Sequence, residues 1–96
     1  MIFAVQFEDN PGFEAQRDKF MQDHLAFLEA HPICVAAGPL FTSEGQGSGG
    51  MWLVEADDIS LVESMILKDP FQDTGLRKSI TILEWRQVMR NGKRLI

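Results

Sequence analysis

Cysteine and long apolar runs are both scarce in this sequence. Cys34 is the only cysteine among 96 residues, which excludes an intramolecular disulfide framework. It lies in the apolar run 33–37, where a small buried side chain is expected rather than a nucleophile. No apolar stretch approaches the roughly 20 residues that a membrane-spanning helix needs, so no membrane partner is expected.

Basic residues are also in the minority. Nine Lys and Arg residues against fourteen Asp and Glu residues give a formal net charge of −5. A negative net charge disfavours phosphate backbones as partners, so nucleic-acid binding is not expected. The locally basic residues 86–94 are interpreted as a solvated segment. The first residues lack the basic region and cleavage site of a signal peptide, and a cytoplasmic location is therefore expected.

The order of elements predicts a ferredoxin-like α+β sandwich in one domain, residues 1–96. Apolar patterning and turn signals predict strands at 2–7, 33–41, 51–55 and 79–88. Helices are predicted at about 13–30 and from 57–60 to 68–70. Right-handed crossovers would place both helices on one face of a four-stranded antiparallel sheet.

The two faces of the first strand differ in what they should contact. Phe3, Val5 and Phe7 share one face, and Ile2, Ala4 and Gln6 share the other. The second face is too apolar for full exposure to water, and a 96-residue domain buries only part of its surface. A second copy of the chain is the expected cover, which predicts a homodimer of the dimeric α+β barrel type.

The second helix is predicted to begin near Asp58 or Ser60, either of which can accept hydrogen bonds from free backbone N–H groups. Its inner face is predicted from four apolar residues at helical spacing, Ile59, Val62, Met65 and Ile66.

No cofactor is expected, although residues 45–50 formally match the pattern G-x-G-x-x-G. A dinucleotide site needs a helix directly after the glycines, and here a strand follows. Residues 42–50 are predicted to form a flexible hairpin loop near the pocket mouth. A metal is not expected either, because His24 and His31 lie seven residues apart without a cysteine pair or H-E-x-x-H spacing.

His24 and Asp69 are the candidates for chemistry. His24 lies on a stripe of the first helix at helical spacing, with Phe13, Arg17, Phe20 and Phe27. A polar group on this stripe needs a partner, and the spacing alone favours a structural histidine over a catalytic one. Asp69 ends the second helix before a proline, a common place for a turn carboxylate. If neighbouring helices bring the two together, the carboxylate would fix the imidazole tautomer and form a minimal proton-transfer unit.

Three short motifs give the chain a specific resemblance. In order, they are Arg17 followed by His24-Leu25-Ala26, then Ala37-Gly38-Pro39-Leu40, then Asp69-Pro70-Phe71. In this order and spacing they resemble the YCII-related (YciI-like) family over nearly the whole chain. The resemblance implies a ferredoxin-like dimer with an active site built on a histidine and an aspartate, here His24 and Asp69.

The resemblance also implies roles around that pair. Arg17 matches a position that is often basic in the family, whereas Met21 stands where many relatives have arginine. Gly38 and Pro39 would shape a strand end near the pocket, and Phe71 would contact the substrate. Phe20 is expected to contact the substrate as well, because of its place on the helical stripe.

Two functions remain open from the sequence. The favoured one is a cofactor-independent enzyme in which His24 moves a proton and Asp69 orients it, in an isomerisation or an elimination on a small organic substrate. Arg17 would hold a substrate carboxylate. The alternative is a non-catalytic dimeric module that binds a small molecule or a protein, with the histidine and aspartate satisfying each other.

Overall fold

The predicted order of elements is confirmed by a computed structural model, which describes residues 1–96. The elements are β1 (Ile2–Asp9), α1 (Glu14–Glu29), β2 (Cys34–Phe41), β3 (Gly47–Glu55), α2 (Ile59–Lys68), β4 (Arg77–Glu84), β5 (Met89–Arg90) and β6 (Lys93–Arg94). The first four strands form one antiparallel sheet in the order β2-β3-β1-β4. Neither helix has the length and apolar character that crossing a bilayer requires.

The core lies on one face of the sheet, as the alternation in β1 predicts. Phe3, Val5 and Phe7 are buried, and β3 places Val54 and Trp52 directly opposite the first two. Residues of α2 complete this cluster with Val62, Met65 and Ile66, while Phe27 and Leu28 of α1 pack at its margin. Both helices therefore cover the same face, because side chains of one parity on adjacent strands point the same way.

The opposite face of the sheet carries apolar residues without a helix over them. Ala4 of β1 lies between Leu53 of β3 and Leu83 of β4 in the strand register. Leu83 is 54% exposed. The bare apolar face predicted from Ile2 and Ala4 is therefore present in the single chain.

The limits of α2 follow from its flanking residues. Asp58 caps the start, where its carboxylate accepts a hydrogen bond of 2.8 Å from the Ser60 N–H. The helix ends at Lys68, since the residue before Pro70 is disfavoured in the helical region. The prediction of Ile59 on the inner face was wrong: it is the first residue of the helix, stays 44% exposed, and the buried face begins at Val62.

The glycine-rich segment is more regular than expected. β3 begins at Gly47, so the loop between β2 and β3 is a short turn rather than the whole of 42–50. Thr42 closes this turn, since its N–H donates to the Gln46 carbonyl (2.8 Å) and its Oγ1 accepts from the Gln46 N–H (3.1 Å). Gly45 takes a positive φ of 80°, which glycine adopts without steric cost.

The last predicted strand is shorter than expected and is followed by a hairpin that the sequence analysis missed. β4 covers Arg77–Glu84 instead of 79–88, and β5 pairs with β6 beyond it. Asn91 and Gly92 connect these two short strands with positive φ angles of 52° and 76°. An Asn-Gly pair is the usual two-residue connection of a tight hairpin, so this signal was readable in the sequence.

Among the glycines, Gly49 lies closest to a neighbouring backbone segment. Its φ is +88°, and a Cβ atom at this position would lie 1.9 Å from the Phe7 carbonyl oxygen. Neither the angle nor the space suits another residue.

We therefore expect Gly49→Ala to lower the free energy of unfolding by about 2 kcal/mol or more, because it combines a strained φ with a backbone clash. Gly47→Ala is the matched control, since a Cβ there meets nothing within 4 Å and its φ is not positive. Its change should stay within about 1 kcal/mol. Equal stabilities of the two variants in urea titrations would contradict the close approach.

Candidate active site

The turn after α2 fixes the position of the Asp69 carboxylate. Asp69 has an extended backbone (ψ 133°), as expected for a residue that precedes proline. Its Oδ1 accepts a hydrogen bond of 3.1 Å from the Phe71 N–H, and its backbone carbonyl accepts one of 2.9 Å from the Gln72 N–H. A side chain bonded to its own backbone two residues on is typical of an Asx turn. The segment 69–71 thus holds the carboxylate through local backbone bonds.

His24 meets this carboxylate. It is the only buried residue of α1, and its Nδ1 lies 2.9 Å from Asp69 Oδ1. The imidazole ring stacks on Phe71, with 4.2 Å between centroids and 21° between planes. With Nδ1 bound to the carboxylate, the other nitrogen, Nε2, is the one available for chemistry. Nε2 makes no hydrogen bond within the chain and is not fully buried.

Arg77 completes the group and was missed by the sequence analysis. Its Nη2 lies 2.5 Å from Asp69 Oδ2, and only 7% of its side chain is exposed. The guanidinium carbon lies 3.9 Å from the centroid of the Phe7 ring, a cation–π distance. Asp69 therefore binds a separate donor with each oxygen: His24 and the Phe71 N–H on Oδ1, and Arg77 on Oδ2.

A bulge in the sheet brings Arg77 to this position. The register between β1 and β4 shifts at Glu8/Asp9, so Asp9 lies opposite Arg77 instead of Lys78. The shift turns Arg77 to the helix-covered face and Lys78 to the open face, where Lys78 Nζ lies 3.3 Å from Glu8 Oε1. Bulges commonly redirect side chains next to functional sites.

The electrostatic balance favours an ionised Asp69. Burial raises the pKa of its carboxyl, but the hydrogen bond from His24 and the charge of Arg77 outweigh burial, so the pKa lies below its ordinary value. The pKa of Arg77 is lowered, first by burial and further by the charge of Arg17, against the pull of Asp69. Arginine remains charged at neutral pH in any case.

A cavity of about 210 Å³ opens in front of this group, between α1 and the sheet. Its walls include five of the residues that the sequence analysis placed at the site, namely Arg17, His24, Gly38, Pro39 and Phe71. Asp69 does not line the wall and has no exposed side-chain surface, so it contacts the cavity only through His24 and Arg77.

Three other residues of α1 differ in their relation to the cavity wall. Phe20 does not line the cavity, although it was expected to contact the substrate, and its ring lies 5.4 Å from Lys19 Nζ. Met21 does line it, at the position where many relatives have arginine. Arg17 forms an ion pair of 2.8 Å with Asp9 and keeps 28% of its side chain exposed.

Two other kinds of site are relevant to the structure: side-chain clusters that bind metals and glycine-to-helix turns that bind nucleotides. No cluster of three or more His, Cys, Asp or Glu side chains has the arrangement to hold a metal ion. His31 follows the end of α1; its Nδ1 lies 2.7 Å from the Phe27 carbonyl oxygen, and it does not line the cavity. The glycines of 45–50 lead into β3, so no helix N-terminus follows them to receive a phosphate.

A solved enzyme structure resembles most of the chain. It is 5-chloro-2-hydroxyhydroquinone dehydrochlorinase from Burkholderia phenoliruptrix AC1100, in complex with 2,5-dihydroxybenzoquinone. The match has a TM-score of 0.79 and 27% sequence identity, and it covers 90% of this chain and 94% of the other. Among curated proteins, no sequence matches.

A family model also matches most of the chain. The model of the YCII-related domain matches residues 1–86, which include every element from β1 to β4 and the whole cavity wall. By this match the chain belongs to the family of YCII-related domains.

Proposed function

We propose that the protein is an enzyme that uses His24 and Asp69 for acid/base chemistry on a small organic molecule bound in the cavity. The observation that carries the proposal is the 2.9 Å contact between His24 Nδ1 and Asp69 Oδ1 beside a cavity of about 210 Å³. Proton transfer by a positioned imidazole is the most common form of general acid/base catalysis in proteins.

The roles of the two residues follow from their contacts. An ionised Asp69 accepts a hydrogen bond from the Nδ1–H group, which selects one imidazole tautomer and leaves the Nε2 lone pair free. Nε2 can then remove a proton from a bound substrate, and Asp69 stabilises the imidazolium that forms. Because Phe71 and Arg77 hold the carboxylate, it orients the histidine without itself taking the proton.

Elimination is the reaction class that the similar structure favours. Its name states that it removes chloride and hydrogen from a chlorinated hydroxyhydroquinone. For a chlorinated hydroxyhydroquinone, the base first moves a hydroxyl proton to the ring carbon that carries chlorine, which makes that carbon tetrahedral. The base then takes a second hydroxyl proton, the O–H electron pair becomes part of a new C=O bond, and chloride leaves with the bonding pair of its carbon. No redox cofactor or metal is needed for that sequence. An isomerisation would use the same base and return the proton to another carbon.

The proposed substrate contact is Arg17. Its guanidinium lines the cavity, with one nitrogen on Asp9 and further N–H groups available, so it can hold an anionic group of the substrate.

We further propose that two chains associate through the bare sheet face. This face presents the Leu53, Ala4 and Leu83 row, and α2 and α1 lie on the other side. Covering an apolar sheet face with a second copy is the simplest way to remove it from water.

Replacing His24 by Ala should lower the rate of chloride release from 5-chloro-2-hydroxyhydroquinone or a related chlorinated hydroquinone by about 10²–10⁴-fold, because the base is lost. Asp69→Asn should also lower the rate, since an amide can present its NH₂ to Nδ1 and favour the wrong tautomer. Chloride release is measured under anaerobic conditions beside circular dichroism of each variant. Phe20→Leu is the control, because Phe20 does not line the cavity.

The non-catalytic alternative makes a different prediction for the same variants. If the pair only satisfies a buried polar contact, both substitutions should lower the melting temperature without a specific loss of turnover. Absence of chloride release by the wild type across a panel of chlorinated hydroquinones would contradict the elimination. Unchanged turnover in His24→Ala would contradict the acid/base role.

The ionised state of Asp69 can be tested by acid unfolding. Its folded-state pKa lies below the ordinary value of 3.8, so the ionised carboxylate stabilises the fold above that value. The stabilisation is lost as the pH falls through the lowered pKa. We expect the unfolding free-energy difference between wild type and Asp69→Asn to shrink as the pH drops below 3.8, in urea titrations at several pH values. A difference that stays constant or grows would mean that the carboxyl is protonated in the fold.

The dimer proposal predicts an assembly of twice the 10.8 kDa chain mass in sedimentation at micromolar concentration. Leu83→Glu should yield monomers, because it puts a charge on the bare sheet face. Leu67→Glu is the matched control, since Leu67 is 69% exposed on α2, away from that face. A monomeric wild type, or equal dissociation by both variants, would contradict the proposed interface.

A further inference from the structure

Two guanidinium groups from different elements face the same cavity. Arg17 comes from α1 and Arg77 from the first position of β4, and both line the cavity wall. Each is bound to one carboxylate through its Nη2 atom, Arg17 to Asp9 and Arg77 to Asp69. Since a guanidinium has five N–H donors in a planar fork, one such contact leaves much of its donor capacity unused.

The unused donors include buried ones. Arg17 Nε and Arg77 Nη1 are both buried and have no hydrogen-bond partner. Arg77 is the more demanding case, because 93% of its side-chain surface is removed from water and its face is already packed on Phe7. Native structures rarely leave a buried donor without an acceptor, and such a group commonly indicates a missing ligand or water.

The charges support an anion rather than a neutral ligand. The two arginines repel each other across the cavity, and Arg17 contributes to the lowered pKa of Arg77. Asp9 also lines the cavity, where it pairs with Arg17, whereas Asp69 lies behind the cavity wall and pairs with Arg77. An oxygen anion between the two guanidinium groups would relieve the repulsion and accept hydrogen bonds from both.

The cavity has room for a ligand of small size. A cavity of about 150 Å³ accommodates benzene, so about 210 Å³ suits one six-membered ring with small substituents. Phe7, Trp52 and Phe71 give the wall its aromatic surface. His24 lies on the same wall and stacks on Phe71.

We propose that Arg77, together with Arg17, binds an oxygen anion on a substrate built on a single six-membered ring, either an ionised ring hydroxyl or a ring carboxylate. The inference rests on the proposed function, because it takes the cavity beside His24 as the substrate site, and it adds the substrate class. The two guanidinium groups would also stabilise the negative charge that spreads onto the ring oxygens when Nε2 removes a hydroxyl proton from the ring, which lowers the energy of the transition state.

The test measures binding by titration calorimetry with two pairs of probes that differ in charge. Benzoate is compared with benzamide, which has nearly the same shape and no charge. Ionised 2,5-dihydroxybenzoquinone is compared with neutral 2,5-dimethoxybenzoquinone. Wild type should bind at least one anion about tenfold or more tightly than its neutral partner, and the preference should weaken with added salt. The pair that shows the larger preference identifies the oxygen anion as a carboxylate or a ring hydroxylate.

The variants assign the preference to Arg77. Arg77→Lys keeps a cation for Asp69 and removes the planar fork, so it should lower affinity for the preferred anion about tenfold and leave the neutral probe within about twofold. Arg17→Gln should reduce the same preference. Arg86→Met is the matched control, since Arg86 lies outside the cavity with 86% of its side chain exposed, and it should change neither affinity.

Several outcomes would overturn the inference. Equal wild-type affinities for charged and neutral probes, or no binding of any of the four at millimolar concentration, would do so. An unchanged preference in a folded Arg77→Lys would remove Arg77 from the site. If that variant fails to fold, the wild-type preference and the Arg17→Gln result still decide. His24→Ala separates the two proposals, because it should retain the anion preference while turnover is lost; full turnover in that variant would instead refute the acid/base role alone.

Discussion

Three parts of the chain meet at the Asp69 carboxylate, and the geometry of the cavity depends on that meeting. The carboxylate joins the end of α2 to His24 on α1 and to Arg77 at the start of β4. Its side chain has no exposed surface, so its charge is balanced entirely by these donors and by the Phe71 N–H. Removing one donor would leave a buried charge partly unpaired, which is far more costly than the loss of a surface ion pair. The carboxylate thus constrains fold and site together.

The bulge at Glu8/Asp9 is the second constraint, and it shows why the sequence predicts some of the site but not all of it. Alternation correctly predicts the buried Phe3, Val5 and Phe7, because β1 is regular over that stretch. Counting back from the inward Ile80 by the same rule would turn Lys78 inward and Arg77 outward. The bulge reverses the two orientations, and no residue type near Glu8 and Asp9 indicates that a bulge is present. Arg77 could not be found by periodicity.

The helical stripe of α1 also gave one correct and one incorrect prediction about the site. Spacing brings His24 to the sheet, and the Asp-Pro-Phe motif fixes the turn that meets it, so both members of the pair were readable from the sequence. Phe20 shares the stripe and yet misses the cavity. Helical spacing gives the direction of a side chain around the axis, whereas the position of the cavity along that axis depends on tertiary packing. The β5–β6 hairpin was missed for a simpler reason, since its Asn-Gly signal stood inside residues 86–94, which were interpreted as a solvated basic segment.

The unused polar groups of the cavity describe what a ligand has to supply. Asp69 is saturated by three donors and offers nothing more to a substrate. His24 has one ring nitrogen committed to that carboxylate and one left, while Arg17 and Arg77 each keep a buried nitrogen without an acceptor. A complementary ligand therefore presents a removable proton to the imidazole and an oxygen acceptor to the guanidinium groups. A small ring that carries an oxygen anion and a further hydroxyl proton meets both demands at once, which ties the substrate class to the chemistry through the same few side chains.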